Sequence, residues 1–228
     1  MHLPSDNPDT NHSLVIDCSE GEVFCGLLGP SGQWLSSKQS GPGALEALFP
    51  AVASVFHDAG KSLQSVDRFL YCQGPGSVLG LRLGAMAIET WCRLAQKQVE
   101  RMSYNSLQLT AALLLLDNKE LDNALLLADW KKNTWHSLRI NNRTIGQVSP
   151  IAAANTSGED YPIYHLPRRK GWQAPPTGAC TLPYEPDRLN AVLDAPGLFE
   201  ATPVLDLYQS GGNTFAKWNQ QRHRSGSL

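Results

Sequence analysis

The chain lacks the features that would mark a membrane protein, a disulfide framework or a metal enzyme. Its run LTAALLLLD, with leucines from Leu113 to Leu116, is far too short to cross a bilayer. Cys18, Cys25, Cys72, Cys92 and Cys180 are odd in number and form no C-x-x-C pair. Cys18, Cys25 and Cys72 sit inside apolar strand-like runs, where a reduced, buried thiol is the expected state. The histidines at 2, 12, 57, 136, 165 and 223 have no H-x-x-x-H or H-E-x-x-H spacing, so no metal site is expected on one helix face. Charge is thin as well. With 18% charged residues and a formal net charge of −2, no general basic surface is available to grip nucleic acid. Residues 1–12 (MHLPSDNPDTNH) lack the positive start and apolar stretch of a signal peptide. They are expected to be a disordered polar leader on a cytoplasmic protein.

What is present begins with FLYCQGPGSVLGLRLGAMAIE, Phe69 to Glu89. An apolar run leads into Gly74-Pro75-Gly76-Ser77, then Gly80, Arg82 and a small-residue helix starting Leu83-Gly84-Ala85. Glycine reaches positive φ cheaply and proline presets φ near −65°, so the segment predicts a tight strand-to-helix turn. Such a turn aims a helix N-terminus, with its free N–H groups, beyond the strand ends. It serves either as an anion cradle or as a device for close packing.

The order of elements is legible around it. SLVIDCS (Ser13–Ser19), EVFCGLL (Glu22–Leu28) and QWLSS (Gln33–Ser37) predict a three-stranded antiparallel meander with turns at Glu20-Gly21 and Gly29–Gly32. Ala44 to Ala59 is helical in period, with Pro50 predicting a kink or a late start of the regular helix. A buried strand at Arg68–Cys72 precedes the glycine turn, a helix spans Ser77–Gln98, and a weak strand follows at Val99–Ser103. A helix from Asn105 to Leu116 is capped by Asn105 or Ser106. The polar break DNKELD places a domain boundary at 117/118, giving domains 13–117 and 118–228. In the second, strands are expected at Ala124–Trp130 and Thr134–Asn141, with Arg143–Val148 pairing to the latter. Helices are expected at Ser149–Thr156 and Pro186–Leu193, and a last strand at Pro203–Tyr208. The terminal segment is expected to fray, unless Phe215 and Trp218 dock it.

Each chemical motif has a plain alternative. Gly74-x-Gly76-x-x-x-Gly80 is one residue too long for a dinucleotide fingerprint and lacks the Lys-Ser/Thr ending of a P-loop. Asp17, at a strand end with Ser19 beyond it, could hold hydrated Mg²⁺ or simply cap a turn. Asp129-Trp130-Lys131-Lys132 reads as a solvated hairpin or a contact for an anionic partner. Arg168-Arg169-Lys170 beside Trp172 reads as a surface loop or an RNA contact. Ser77 has no G-x-S-x-G elbow. No catalytic constellation, cofactor site or metal site is read.

Several of these segments together resemble a known family. The strand ending Asp17-Cys18-Ser19 resembles its D-T-S start, and LEALFPAVASV (Leu45–Val55) its leucine-leucine-proline helix. GPGSVLGLRLG (Gly74–Gly84) resembles its hallmark G-P-G-S-F-T-G-x-R-x-G, with Val78 and Leu79 in place of Phe and Thr. Ser103–Ala111 and Asp129–Trp135 are similar to its third-helix start and its D-A-R-R-x-x-x-Y hairpin. On these motifs the chain resembles the TsaB (YeaZ) family over roughly residues 13–140. The resemblance implies an α/β, two-domain actin-like or sugar-kinase-like (ASKHA) fold of βββαβα units, with mixed sheets flanked by helices and a degenerate second domain. It implies a scaffold with no catalysis or cofactor of its own. Its partners would be a TsaD-like catalytic subunit and a TsaE-like ATPase, forming N6-threonylcarbamoyladenosine next to the tRNA anticodon, with tRNA met only through the complex. In isolation it would be a homodimer. The implied interface comprises Leu45, Leu48, Phe49, Val52, Phe56, Gly84, Ala85, Met86, Ala87 and Trp91. The glycine turn (Gly74, Pro75, Gly76, Ser77, Gly80, Arg82) and Asp17 with Ser19 would be a vestigial phosphate site. The alternative is a residual ATP-binding phosphotransferase or glycoprotease-like peptidase of the same superfamily.

Overall fold

Two apolar runs, β1 (His12–Asp17) and β4 (Val66–Gly74), lie parallel at the centre of a six-stranded sheet. Every residue of β1 is buried, as expected of a strand covered on both faces. The computed structural model describes residues 11–41, 43–156, 161–167, 174–205 and 207. β1 continues antiparallel into β2 (Val23–Leu28) and β3 (Trp34–Ser40), completing the predicted meander. On the other side β4 pairs in parallel with β5 (Glu100–Asn105). Helices α1 (Ala44–Ala59) and α2 (Val78–Leu94) cover one face. The βββαβα order is followed in full.

Helix α3 (Ser106–Asp117) explains how the two halves join. Every residue from Ser106 to Leu113 is buried, the polar Ser106, Gln108 and Thr110 included, so the helix is enclosed on all sides over its first two turns. Leu109, Ala112 and Leu113 pack under the first sheet, whereas Leu107 and Ala111 pack into the core of the second. The Asn105 side chain caps it, accepting from the N–H groups of Leu107 (2.9 Å) and Gln108 (3.4 Å). At its far end the Arg143 guanidinium donates to the carbonyls of Leu115, Asn118, Lys119 and Leu121.

The second sheet is built on the antiparallel hairpin β6 (Ala124–Lys131) and β7 (Thr134–Asn141). β8 (Thr144–Ile145) and β9 (Ser149–Ala152) flank β7, while β10 (Ile163–Leu166) and β11 (Cys180–Thr181) extend the sheet in parallel beyond β6. Among the described residues after α3, the only helices are 3-10 segments, at Ala153–Asn155 and Pro186–Val192. The fold is α/β with two mixed sheets flanked by helices, and its second half is reduced. The chain then returns to the first sheet, where β12 (Phe199–Ala201) pairs with β5.

Several expectations need correction. The helix expected at Ser149–Thr156 is β9 followed by a 3-10 turn; β9 pairs with β7 alone among the described strands, and such an edge tolerates Pro150. The last described strand is Phe199–Ala201, paired with β5; of the expected Pro203–Tyr208, residues 203–205 and 207 are not strand and Asp206 and Tyr208 lie outside the described residues. Helix α2 ends at Leu94, four residues before Gln98, where Ala95 turns extended. Helix α1 runs unbroken through the exposed Pro50 from Ala44, so the regular helix does not start at the proline. β8 covers only Thr144–Ile145 of the expected Arg143–Val148. The strand β10 was not foreseen. Residues 1–10, Arg168–Lys170, Trp172, Phe215 and Trp218 lie outside the described residues. Among the described residues no helix is long and apolar enough to cross a membrane.

Candidate functional site

The glycine turn is packed against the end of β1 by its own glycines. Gly74 ends β4 at φ 114, the Gly74–Pro75 bond is cis, and Ser77 caps α2. The Ser77 hydroxyl accepts from the Gly80 N–H (3.3 Å), and the Ser77 N–H donates to the Ser19 carbonyl (2.7 Å). A methyl group on Gly76 would stand 2.3 Å from the Ser19 carbonyl oxygen, and one on Gly80 2.3 Å from that of Cys18. No side chain fits at those separations. Of the two readings open at the sequence, the geometry supports close packing, because backbone of the β1 end fills the space against the turn.

Asp17 is similarly occupied. It is buried, and its Oδ1 accepts from the Ser19 N–H at 2.8 Å. Its Oδ2 accepts from the Tyr104 hydroxyl at 2.7 Å and also from the Tyr184 hydroxyl. A carboxylate offers about four acceptor positions, and three of these are taken by the chain's own donors. Burial, followed by the Asp17 charge, holds the Tyr104 hydroxyl well above its ordinary pKa of 10.0, so it stays a donor. Ser19 is buried and its hydroxyl has no hydrogen-bond partner among the described residues. Neither tyrosine was singled out from the sequence; nothing local to Tyr184 marks it as a neighbour of β1.

The ten expected interface residues divide into two groups. Leu48, Val52, Gly84 and Ala87 are buried in the first sheet's own core, with Gly84 facing Cys18 and Ile16. The small residues of α2 therefore admit β1 at Gly84, in place of the partner helix expected there. Leu45 (65%), Phe49 (53%) and Met86 (67%) are exposed, while Phe56, Ala85 and Trp91 are half-buried. Trp91 stacks on Phe69 with ring centroids 5.9 Å apart and receives Phe49 edge-on at 6.0 Å. Leu94, 72% exposed, extends the same apolar surface and was missed, although it lies one turn beyond Trp91. A cavity of about 470 Å³ opens beside Trp91 and Leu94, with Leu63, Val66 and Val99 in its walls. Arg82 is exposed, as are Val78 and Leu79 at the tip of the turn.

In the second sheet Asp129 is no solvated hairpin carboxylate. It is buried, with its Oδ1 3.1 Å from Nε2 of the buried His165, which meets the Trp135 ring edge-on. Lys131 stands 4.3 Å above the Trp130 ring at the hairpin tip. Among the described residues no group of three or more His, Cys, Asp or Glu side chains could hold a metal ion.

Residues 43–134, from the start of α1 to the start of β7, match the family described as TsaD: tRNA N6-adenosine threonylcarbamoyltransferase. No curated protein matches the chain. Among solved structures, YeaZ from Pseudomonas aeruginosa is similar with a TM-score of 0.64 and 16% identity, over 87% of this chain and 100% of that one. The chain has the YeaZ fold. A second structure, described as an uncharacterized protein with similarity to peptidase YEAZ from Pseudomonas aeruginosa, gives a TM-score of 0.61 and 17% identity over 87% and 99% of the two chains. The YeaZ-like fold and the TsaD-family segment support, by separate routes, the TsaB (YeaZ) resemblance carried by the sequence motifs.

Proposed function

We propose that this chain is a non-catalytic, TsaB-type subunit that binds a TsaD-like partner forming N6-threonylcarbamoyladenosine beside the tRNA anticodon. The observation that carries the reading is the exposed apolar face of Leu45, Phe49 and Leu94 around the half-buried Trp91, with Met86 exposed farther round α2 beside Glu89, Thr90 and Arg93. This face lies wholly inside the segment that matches the TsaD family. Large aromatic and aliphatic side chains exposed together on two helices mark an interaction surface, and the cavity beside Trp91 offers an anchor a place to insert. An interface of roughly 1,600 Å² would be ordinary for such a pair. The partner is a TsaD-like subunit, a second copy of the chain taking its place in isolation. A TsaE-like ATPase joins the assembly, tRNA is met through the complex, and the setting is the cytoplasm.

The occupied Asp17 favours this scaffold reading over the ATP-binding or peptidase alternative, since a bound cation would have to displace tyrosine hydroxyls. Co-expression with the TsaD homologue of the same genome tests the reading. A stable complex is expected, and Met86→Glu should abolish it without lowering the melting temperature, because the side chain is exposed; Phe49→Glu should abolish it too, at the added cost of its edge-on contact with Trp91. Absence of a complex at micromolar concentrations with an intact fold would sink it.

A further inference from the structure

Residues 184–201 leave the second sheet after β11 and finish on the edge of the first as β12. Tyr184 packs against the cores of both sheets. The segment that follows is fastened to element after element of the first half. The Tyr184 hydroxyl meets Asp17 at the end of β1. The Trp34 indole N–H at the start of β3 donates to the Asp187 carbonyl at 2.7 Å. The Arg188 guanidinium takes both Asp117 oxygens at the end of α3, at 2.9 and 2.7 Å, and Glu185 at 3.1 Å. Leu189, Val192 and Leu198 are buried among Val15, Leu70, Leu109 and Leu113.

We infer that residues 184–201 are a clasp that holds the two sheets as one rigid body, so that the chain has no working hinge between its halves. A hinge is a place of few buried contacts whose local opening costs much less than global unfolding. Here the junction is crossed by a continuous helix, α3, buried against both cores, and by a second segment attached at β1, β3, α3 and β5. Turning the second sheet against the first would pull Tyr184, and Ile145 of β8, away from one core, since each packs against both. If Tyr184 moved with the second sheet, it would leave the Asp17 carboxylate, and if residues 184–201 followed it, Leu189, Val192 and Leu198 would be uncovered. Because interiors are close-packed, such a joint has one arrangement and does not deform gradually. A cation or phosphate could reach Asp17 only if the clasp were released. This inference stands independently of the tRNA-modification reading, since it concerns the chain alone.

Amide hydrogen exchange on the full chain, read residue by residue, tests it. The N–H groups of Arg188, Ala195 and Leu198 donate to carbonyls within the segment. If the segment is a clasp, they exchange within tenfold of the amide of Leu70 in β4, since all open in one event. Exchange more than tenfold faster than Leu70 in the unmodified protein overturns the inference, because the segment would then open by itself. Leu189→Ala provides the second measurement. It should raise exchange in 184–201 at least tenfold relative to Leu70; an unchanged ratio counts against the clasp.

Discussion

Gly80 of α2 and Cys18 beyond β1 approach so closely that a methyl group on the former would stand 2.3 Å from the carbonyl oxygen of the latter. Gly80 sits in the first turn of a helix and carries no positive φ. Replacing an unhindered helical glycine by alanine stabilises by up to about 1 kcal/mol. Here the neighbour is backbone and cannot swing aside, and forcing extra volume into a packed site costs typically 1–3 kcal/mol. Gly80→Ala is therefore expected to lower unfolding stability by roughly 2 kcal/mol, measured by urea denaturation. A variant as stable as the parent, or more so, would show that the turn is not held by close packing.

Leu45 and Leu48 lie one turn apart on α1 and have opposite fates, 65% exposed against fully buried. Leu48→Ala opens a cavity in the core shared with Val23, Val55 and Ile88, and is expected to cost about 2–5 kcal/mol. Leu45→Ala is expected to leave stability within about 0.5 kcal/mol, while weakening association through the α1–α2 face. Thermal melts and sedimentation of the two variants separate folding from binding. If Leu45→Ala unfolds the chain as readily as Leu48→Ala, the face belongs to the core.

These two positions also show where sequence reading reaches its limit. The period of α1 marks Leu45, Leu48, Phe49 and Val52 as one stripe, but a stripe wider than the core leaves some members outside, and only packing decides which. The same holds for Gly84: a small residue says that something comes close, and the structure says that it is β1. The hairpin β6–β7 was readable because an apolar run meets a turn at Asn133, which adopts φ 60. β10 was not, since Ile163–Leu166 is too short to show a period and owes its place to pairing with β6. Asp17 was readable as a candidate, but its partner Tyr184 lies 167 residues away. Contacts at that range leave no local signal.

The buried donors around Asp17 and β2 make stability sensitive to alkali. Burial, then the Asp17 charge, holds the Tyr104 hydroxyl well above its ordinary value of 10.0, and burial likewise pushes the Cys25 thiol up from 9.0 to about 12. Both groups bind their protons more tightly in the folded chain than in the unfolded one. Their contribution is therefore complete below the unfolded values and is lost as pH rises, from about 9 for Cys25 and about 10 for Tyr104. Each can steepen the fall by at most about 1.4 kcal/mol per pH unit. Unfolding free energy measured from pH 8 to 11.5 should bend downward first near pH 9 and again near pH 10. Cys25→Ala should weaken the first bend, which the Cys18 thiol, also pushed up by burial, shares, and Tyr104→Phe should weaken the second, even though each variant starts from a lower stability at pH 8. A Tyr104→Phe variant whose slope above pH 10 equals that of the parent would mean that the hydroxyl is not held protonated against Asp17.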